Sequence, residues 1–268
     1  MITLLAIFIA AVTLVSLKYC WWYPSVADEH PRILMYHMIA APGTTKQQRG
    51  LRVAETMFER QVRWLAEQGW QFVTMSELQA MSAPQAKTVA ITFDDGYADN
   101  FTTALPILQK YAAKATLYLV VDRHGEDWAV KKNPKHNSGE LARETKLDDH
   151  QVRQMLKDGI FELGGHTLSH CHLPSTSVAD KRAEIFGCKT VLEQTFATSV
   201  TSFAYPFGHF AEDDVELVKA AGFTNAVTTF EGVDTIPNAF RRKRIKVSGK
   251  DNFFAFRLRM RIGFRGFI

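Results

Sequence analysis

Two adjacent aspartates and two histidines four residues apart are the strongest candidates in this chain for metal binding and catalysis. Asp94 and Asp95 directly follow the apolar run 88–93, and the segment Gly-His-Thr-Leu-Ser-His contains His166 and His170. On a helical turn this spacing places both imidazoles on one side, where together with Asp95 they can bind a divalent cation. Such a donor set leaves a coordination position for water, and a second acid can take a proton from that water.

We therefore predict a metal site formed by Asp95, His166 and His170, with zinc as the default ion. Cobalt or nickel can occupy the same ligands, since this donor set discriminates weakly among borderline divalent metals. A pair of structural histidines and a solvated Asp-Asp-Gly turn are the alternative interpretations.

Short apolar strands alternate with amphipathic helices from residue 31 to 248, and these elements position the candidate residues. Such alternation predicts an α/β fold, either a barrel or a doubly wound sheet, and in both folds catalytic groups lie where strands end. The long polar stretch 122–147 is predicted to be a loop over the active site, with an insertion of no role as the alternative. The chemically capable groups that follow strand ends are His37, Asp94 with Asp95, His166 to His170, and the segment 205–208.

Three segments together carry a resemblance to a known family. Residues 92–96 (Thr-Phe-Asp-Asp-Gly), 166–170 (His-Thr-Leu-Ser-His) and 203–208 (Phe-Ala-Tyr-Pro-Phe-Gly) resemble the first three motifs of polysaccharide deacetylases, the NodB homology family of carbohydrate esterases. The similarity extends over residues 31–248 and implies a catalytic domain with a distorted (β/α) barrel of about seven strands. The roles that it implies are a general base, Asp94, three metal ligands, Asp95, His166 and His170, and an oxyanion-binding main-chain N–H, that of Phe207.

Two departures from the family pattern concern the residues around the base and the acid. Most relatives have an arginine that orients the base where this chain has Ala204, so another group must do so. The late Leu-x-His motif that supplies the general acid is also missing, and residues 245–248 stand in its neighbourhood. The candidates for the orienting group are Arg241, Arg242 and Arg244, whose alternative role is that of a solvated or membrane-facing charge.

An early histidine is the candidate for the missing acid. Residues 34–37 (Leu-Met-Tyr-His) resemble the rearranged motif order of the poly-N-acetylglucosamine deacetylase branch, which implies that His37 is the general acid. An acid is chemically required, because an amide anion is too basic to leave without a proton. A structural histidine at a strand end is the alternative. Further candidates, for a sugar subsite or for core and loop packing, are His172, Tyr97, His209 and Trp128.

Together the residues and the resemblance predict a metal-dependent hydrolase that removes N-acetyl groups from N-acetylhexosamine residues of a cell-envelope polysaccharide, lipopolysaccharide or lipid-linked glycan. A deformylase of a lipid-linked amino sugar shares every catalytic residue, and a catalytically silent glycan-binding module is the alternative from another class. The hydrophobic share of 46% excludes a disordered chain. We expect a monomer whose partner is an N-acetylated glycan.

The first 23 residues are predicted to form a membrane anchor. Residues 2–17 are apolar and uncharged, and Lys18 and a cluster of Tyr and Trp follow them, as at a membrane–water interface. We predict a single-pass transmembrane signal anchor over residues 1–23 in a bacterial inner membrane, with the side of the catalytic domain left open. A signal peptide cleaved near residues 25–27 (Ser-Val-Ala) is the alternative.

The C-terminal segment 249–268 is predicted to be a basic amphipathic element. Although the net charge is only +4, residues 237–268 contain ten Lys or Arg and one acid, which favours an anionic surface such as a membrane over nucleic acid. Basic and apolar residues alternate from Phe256 to Ile262, and this period of two suits a strand that binds membrane lipid. An edge strand or a helix packed on the barrel is the alternative.

Overall fold

The fold is built on a parallel sheet that closes on itself. The computed structural model describes residues 2–41, 48–125 and 141–266. Within these residues the strands are β1 (Arg32–Tyr36), β2 (Met38–Ile39), β3 (Arg52–Val53), β4 (Gln71–Val73), β5 (Thr88–Asp95), β6 (Ala115–Leu119), β7 (Phe161–Gly165), β8 (Ser202–Ala204), β9 (Asn225–Glu231) and β10 (Arg242–Lys246). The helices are α1 (Ile2–Tyr19), α2 (Glu55–Glu67), α3 (Met75–Ala80), α4 (Leu105–Lys110), α5 (Asp149–Lys157), α6 (Val178–Phe196), α7 (Glu212–Ala220) and α8 (Phe253–Ile262).

Seven of these strands form a closed ring. Around the barrel the order is β1, β5, β6, β7, β8, β9 and β10, and β10 pairs with β1 again. β4 pairs with the first three residues of β5. On the same edge of β5, β6 begins where β4 ends, with Ala115 paired to Ile91. The neighbouring strands of the ring are parallel. This topology confirms the predicted distorted barrel and excludes the doubly wound sheet.

Burial on both faces explains why the strands have continuous apolar sequences. All eight residues of β5 are buried, between the barrel interior and the surrounding helices. α2 covers the outside through an apolar face that contains Phe58 and Val62. Inside the barrel, the small side chains of Ala90 and Ala204 share a cluster with Tyr118.

The C-terminal segment is a helix, so the predicted strand is wrong. α8 begins after the N-cap Asn252 and ends at Gly263, which has the left-handed conformation typical of helix ends. Phe253 and Phe256 pack edge-on against Trp64 of α2. Alternation every second residue also places apolar groups four residues apart, so the same pattern satisfies a helix once α2 offers a surface to pack on. The structure therefore shows the alternative, a helix packed on the barrel.

The N-terminal segment forms the helix α1, which has 18 residues. Across the described parts of the chain, no helix is both long enough and apolar enough to cross a membrane. The spanning anchor predicted over residues 1–23 is therefore not supported, and these residues include the helix α1.

Candidate metal centre and active site

The two aspartates lie at the carboxyl end of β5. Neighbouring residues of a regular strand point to opposite faces, but Asp95 has a left-handed backbone with a φ of 79°, and Gly96 follows with 88°. This bend brings both carboxylates, Asp94 and Asp95, to one cavity. A Cβ atom at Gly96 would lie 2.4 Å from Leu119 Cδ1, so the turn needs glycine for space as well as for conformation.

The two histidines follow β7 in an irregular turn rather than in the predicted helical turn. Thr167 and His170 have φ values of 65° and 57°, which a right-handed α-helix does not accommodate. Ser169 holds the turn, because its N–H and its hydroxyl both donate to the Glu184 carboxylate, at 2.9 and 2.6 Å. The imidazoles of His166 and His170 nevertheless meet, with ring centroids 4.8 Å apart.

Three buried donor groups converge at this point. Asp95 Oδ1 lies 3.4 Å from His166 Nε2 and 3.5 Å from His170 Nε2, and the possible ligand atoms all lie within 4.8 Å of one another. Among the described residues, Asp95 Oδ1 receives no hydrogen bond of normal geometry. His166 Nδ1 lies 2.7 Å from the Ala204 carbonyl oxygen, and a proton on Nδ1 leaves the Nε2 lone pair for a metal.

The protonation states of these groups suit a cation. Burial lowers the pKa of His170 to about 3, against the opposing effect of Asp95. Its imidazole is therefore neutral at neutral pH, which is the form that binds a metal. Burial alone would raise the pKa of Asp95, but the two adjacent imidazoles hold it below its ordinary value. Two imidazoles beside one carboxylate fit a divalent cation.

A buried arginine holds Asp94. The Nη1 and Nη2 atoms of Arg244 donate to the two carboxylate oxygens of Asp94, each at 2.7 Å, and the Arg244 side chain is 0% exposed. Burial raises the pKa of Asp94, yet the Arg244 guanidinium outweighs burial and holds that pKa below its ordinary value. The Asp94 carboxylate is therefore ionised at neutral pH and fixed in orientation.

Arg244 is the arginine that orients the base, a role for which the sequence offered three candidates. It reaches Asp94 from β10 through the barrel interior, where its Cζ lies 5.8 Å from the centre of the Tyr118 ring. Ala204 belongs to the same interior cluster as Tyr118. The other two candidates have partners elsewhere: Arg241 pairs with Glu212, and Arg242 donates to Gln79.

Asp99 and Asn100 fix the segment that carries His37. His37 follows β1 and lines the same cavity as the metal ligands. Asn100 Nδ2 donates to the His37 carbonyl at 2.8 Å and to Asp99 Oδ1 at 2.9 Å, and the Ile39 N–H donates to the same Asp99 oxygen at 3.0 Å. This pair was not predicted from the sequence, in which its one signal was two adjacent polar residues soon after the Asp-Asp-Gly turn.

Asp99→Asn is expected to remove a pH-dependent loss of stability. Burial raises the pKa of Asp99 from 3.8 to about 6, so between these values the folded state binds more protons than the unfolded state. The free energy of unfolding of the wild type should therefore fall relative to that of the variant, by roughly 1–3 kcal/mol, as the pH rises from about 4 to about 6. Urea unfolding of both proteins across this range measures the difference. A constant difference at all pH values would contradict the prediction.

Phe207 reaches the cavity with a strained backbone. Its φ is 59°, its carbonyl accepts a hydrogen bond from the Thr229 hydroxyl at 3.1 Å, and its ring packs edge-on against that of His170 at 4.4 Å. Eight non-glycine residues in the described chain have positive φ, and four of them, Asp95, Thr167, His170 and Phe207, belong to this site. Each such conformation costs about 1–3 kcal/mol, so the fold maintains strain where the reactive groups meet.

One cavity of about 80 Å³ brings together all six residues predicted for the site. It combines donors for a divalent cation, an ionised carboxylate and an imidazole, which is a set of groups suited to hydrolysis. The lining residues are His37, Leu51, Asp94, Asp95, Leu141, His166, His170, Tyr205, Phe207 and Thr229.

Comparison with known proteins identifies the family. The polysaccharide deacetylase family profile matches residues 82–226, more than half of the chain. The chain belongs to this family. The Bacillus subtilis protein YxkH, named as a polysaccharide deacetylase, is 31% identical over 204 residues, which are 75% of this chain and 64% of the relative. The poly-beta-1,6-N-acetyl-D-glucosamine N-deacetylase of Staphylococcus aureus (strain MSSA476) is 26% identical over 190 residues, which are 67% of this chain and 61% of the relative.

A solved structure has the same fold. IcaB from Ammonifex degensii superposes with a TM-score of 0.73 at 19% sequence identity, over 87% of this chain and 97% of that protein. The family profile and the Bacillus subtilis relative confirm the resemblance inferred from the three motifs. The matched part of the chain spans a little less than two thirds of the length of the two curated relatives.

The other predicted sugar contacts divide into surface, core and undescribed residues. His172 and His209 lie beside Phe207 and are joined by an Nε2–Nδ1 contact of 3.0 Å. Tyr97 is 1% exposed, so it is a core residue of this deacetylase fold and not a sugar contact. Trp128 lies outside the described residues, as does 126–140 of the predicted loop, whose described end contributes Leu141 to the cavity.

Proposed function

We propose that this chain is a metal-dependent hydrolase that removes N-acetyl groups from N-acetylhexosamine residues of a cell-envelope glycan. The observation that carries the proposal is the convergence of three buried metal donors within 4.8 Å, beside an ionised Asp94, in one cavity. Family membership supports hydrolysis of an acylated glycan. The name of the Staphylococcus aureus relative supports N-acetylglucosamine as the sugar.

Zinc is the proposed ion, with cobalt and nickel as alternatives, and Asp95, His166 and His170 would hold it. A bound divalent cation supplies Lewis-acid polarisation of the acyl carbonyl and lowers the pKa of a coordinated water. The Ala204 carbonyl orients His166, and burial keeps His170 neutral, so the protein prepares both imidazoles for this role.

The remaining residues move protons and stabilise charge. Asp94, held ionised by Arg244, accepts the proton of the attacking water. His37, on the same cavity, donates a proton to the departing amine, without which the carbon–nitrogen bond cannot break readily. Phe207 contributes its main-chain N–H to the oxyanion, for which its apolar side chain is no obstacle. Acetate and a free amino sugar result.

The test is acyl release by the zinc-loaded full chain, measured as acetate and formate separately. We expect acetate from N-acetylglucosamine oligomers. Formate from a lipid-linked amino sugar in place of acetate would favour the deformylase, and absence of any acyl release despite bound metal would favour a glycan-binding module. In either case the proposed N-deacetylase would be wrong.

Asp94→Asn and His37→Gln are expected to lower kcat/KM by about 10²–10⁴-fold each, as losses of a general base and a general acid do. Both variants should retain the metal content of the wild type, because neither residue is a proposed ligand. Asp158→Asn, a matched change at the exposed end of α5, should leave the rate unchanged. Wild-type rates in both site variants would contradict the assigned roles.

A further inference from the structure

α1 exposes apolar side chains in every direction around its axis. The large apolar side chains between Leu4 and Val15 are 44–74% exposed. Neighbouring residues such as Ile7, Phe8 and Ile9 point about 100° apart, so a groove on one protein partner covers only part of this surface. An apolar medium that surrounds the helix covers all of it.

The end of α1 is fixed to α8 rather than loosely attached. Arg261 donates to the Tyr23 carbonyl at 2.8 Å, and the rings of Tyr23 and Phe264 meet edge-on at 5.0 Å. Gly266 approaches the end of α1 so closely that a Cβ atom there would lie 2.0 Å from the Lys18 carbonyl oxygen. The two helices therefore form one surface.

A cationic cleft lies where α1 meets α8. Its volume is about 490 Å³, and Lys18, Lys250 and Arg265 lie along it. Asp251 is the one acid among the described residues of its lining, and it is buried and paired with Arg259 at 2.5 Å and Arg265 at 2.9 Å. Because that acid is neutralised and both lysines are exposed, the cleft is suited to an anion.

Trp21 and Trp22, each 53% exposed, directly follow α1 and its last basic residue, Lys18, in the chain. An apolar helix that ends in cations and aromatic rings matches the change from the acyl region of a bilayer to its interface and phosphate layer. We propose that α1 and the α1–α8 cleft dock this protein on an anionic phospholipid bilayer, with α1 among the acyl chains and a lipid phosphate in the cleft. A second copy of the chain is a poorer partner, because it brings the same positive charges to the cleft.

This docking surface lies near the amino-terminal ends of the barrel strands, and the active site lies at their carboxyl-terminal ends. The segment after α1 leads to Arg32, the first residue of β1, whose Nε donates to the Met260 carbonyl of α8 at 2.8 Å. The metal donors follow the carboxyl ends of β5 and β7. Resting on the function proposed above, this arrangement directs the cavity away from the lipid and favours an extended glycan over a lipid-linked monosaccharide as substrate.

Vesicle binding of the full chain tests the docking proposal without any use of catalysis. We expect co-flotation with vesicles of equal parts phosphatidylcholine and phosphatidylglycerol, and weaker binding to phosphatidylcholine alone. The double variant Lys18→Gln with Lys250→Gln should weaken binding to the anionic vesicles by about 30-fold, since each basic residue near the surface contributes about fivefold. The matched double variant Lys157→Gln with Lys219→Gln, on exposed residues of α5 and α7, should bind like the wild type.

Three results would overturn the proposal. These are no co-flotation with either vesicle, equal effects of the two double variants, or a lipid-free dimer that Phe8→Asp converts to a monomer. Bound protein that still releases acetate from soluble N-acetylglucosamine oligomers would support the orientation of the cavity. Loss of vesicle binding with intact acetate release would reject the docking surface alone, and the reverse result would reject the proposed function alone.

Discussion

Asp95→Ala is expected to lower glycan deacylation by at least about 1,000-fold, because loss of the ion removes several kcal/mol of stabilisation of the charge that develops in the transition state. Asp95 supplies the one carboxylate of the donor set, and its Oδ1 lies 3.4 and 3.5 Å from the two imidazole nitrogens. Without it, two imidazole nitrogens remain, and a divalent cation loses its anionic ligand. Metal content by mass spectrometry and acetate release should therefore fall together.

His166→Ala provides a second route to the same outcome, since it removes a nitrogen ligand and leaves the carboxylate in place. Asp158→Ala, on the exposed end of α5, is the matched control and should keep both metal and activity. Circular dichroism separates loss of the ion from loss of the fold. A folded Asp95→Ala protein with wild-type metal content and wild-type rate would show that the ion lies elsewhere.

Arg244→Met is expected to destabilise the fold by about 3–5 kcal/mol, because it leaves the buried Asp94 carboxylate without its cation. The same change should lower the rate of deacylation by about 10²-fold or more, since the carboxylate loses both hydrogen bonds that fix its position. Arg244→Lys should recover part of the stability but less of the rate, because an ammonium group cannot make the bidentate contact. Urea unfolding and acetate release measure the two effects separately.

Arg241→Met is the control that the chain itself offers. Arg241 lies three residues away and pairs with Glu212 at the surface, so its loss should cost at most about 1 kcal/mol. Equal effects of the Arg241 and Arg244 substitutions would indicate that the arginine-rich segment acts through its general charge and not through Asp94.

Much of this site was predictable from the sequence because its donors occur in short, contiguous segments. Asp94 and Asp95 are adjacent, and His166 and His170 lie within one turn of chain. The alternation of apolar strands and helices predicted an α/β fold, either a barrel or a doubly wound sheet, and the resemblance of the three motifs implied the barrel. From these local features it followed that the segments meet where the strands end.

Geometry was harder to predict where a local pattern fits more than one structure. The spacing of His166 and His170 suits a helix, but positive φ at Thr167 and His170 produces an irregular turn. The alternating pattern of the C-terminal segment suits a strand, but Asn252 and Gly263 cap a helix whose aromatic residues pack on α2. Both outcomes depend on neighbours that lie far away in the sequence.

The ligand types, the barrel and the family could be predicted from the sequence, because they follow from short motifs and from the order of those motifs along the chain. The arginine that holds Asp94 could be identified only from the tertiary structure. Three arginines lie close together between residues 241 and 244, and no local rule distinguishes them. Closure of the barrel places β10 between β9 and β1, and from there the side chain of Arg244 reaches Asp94.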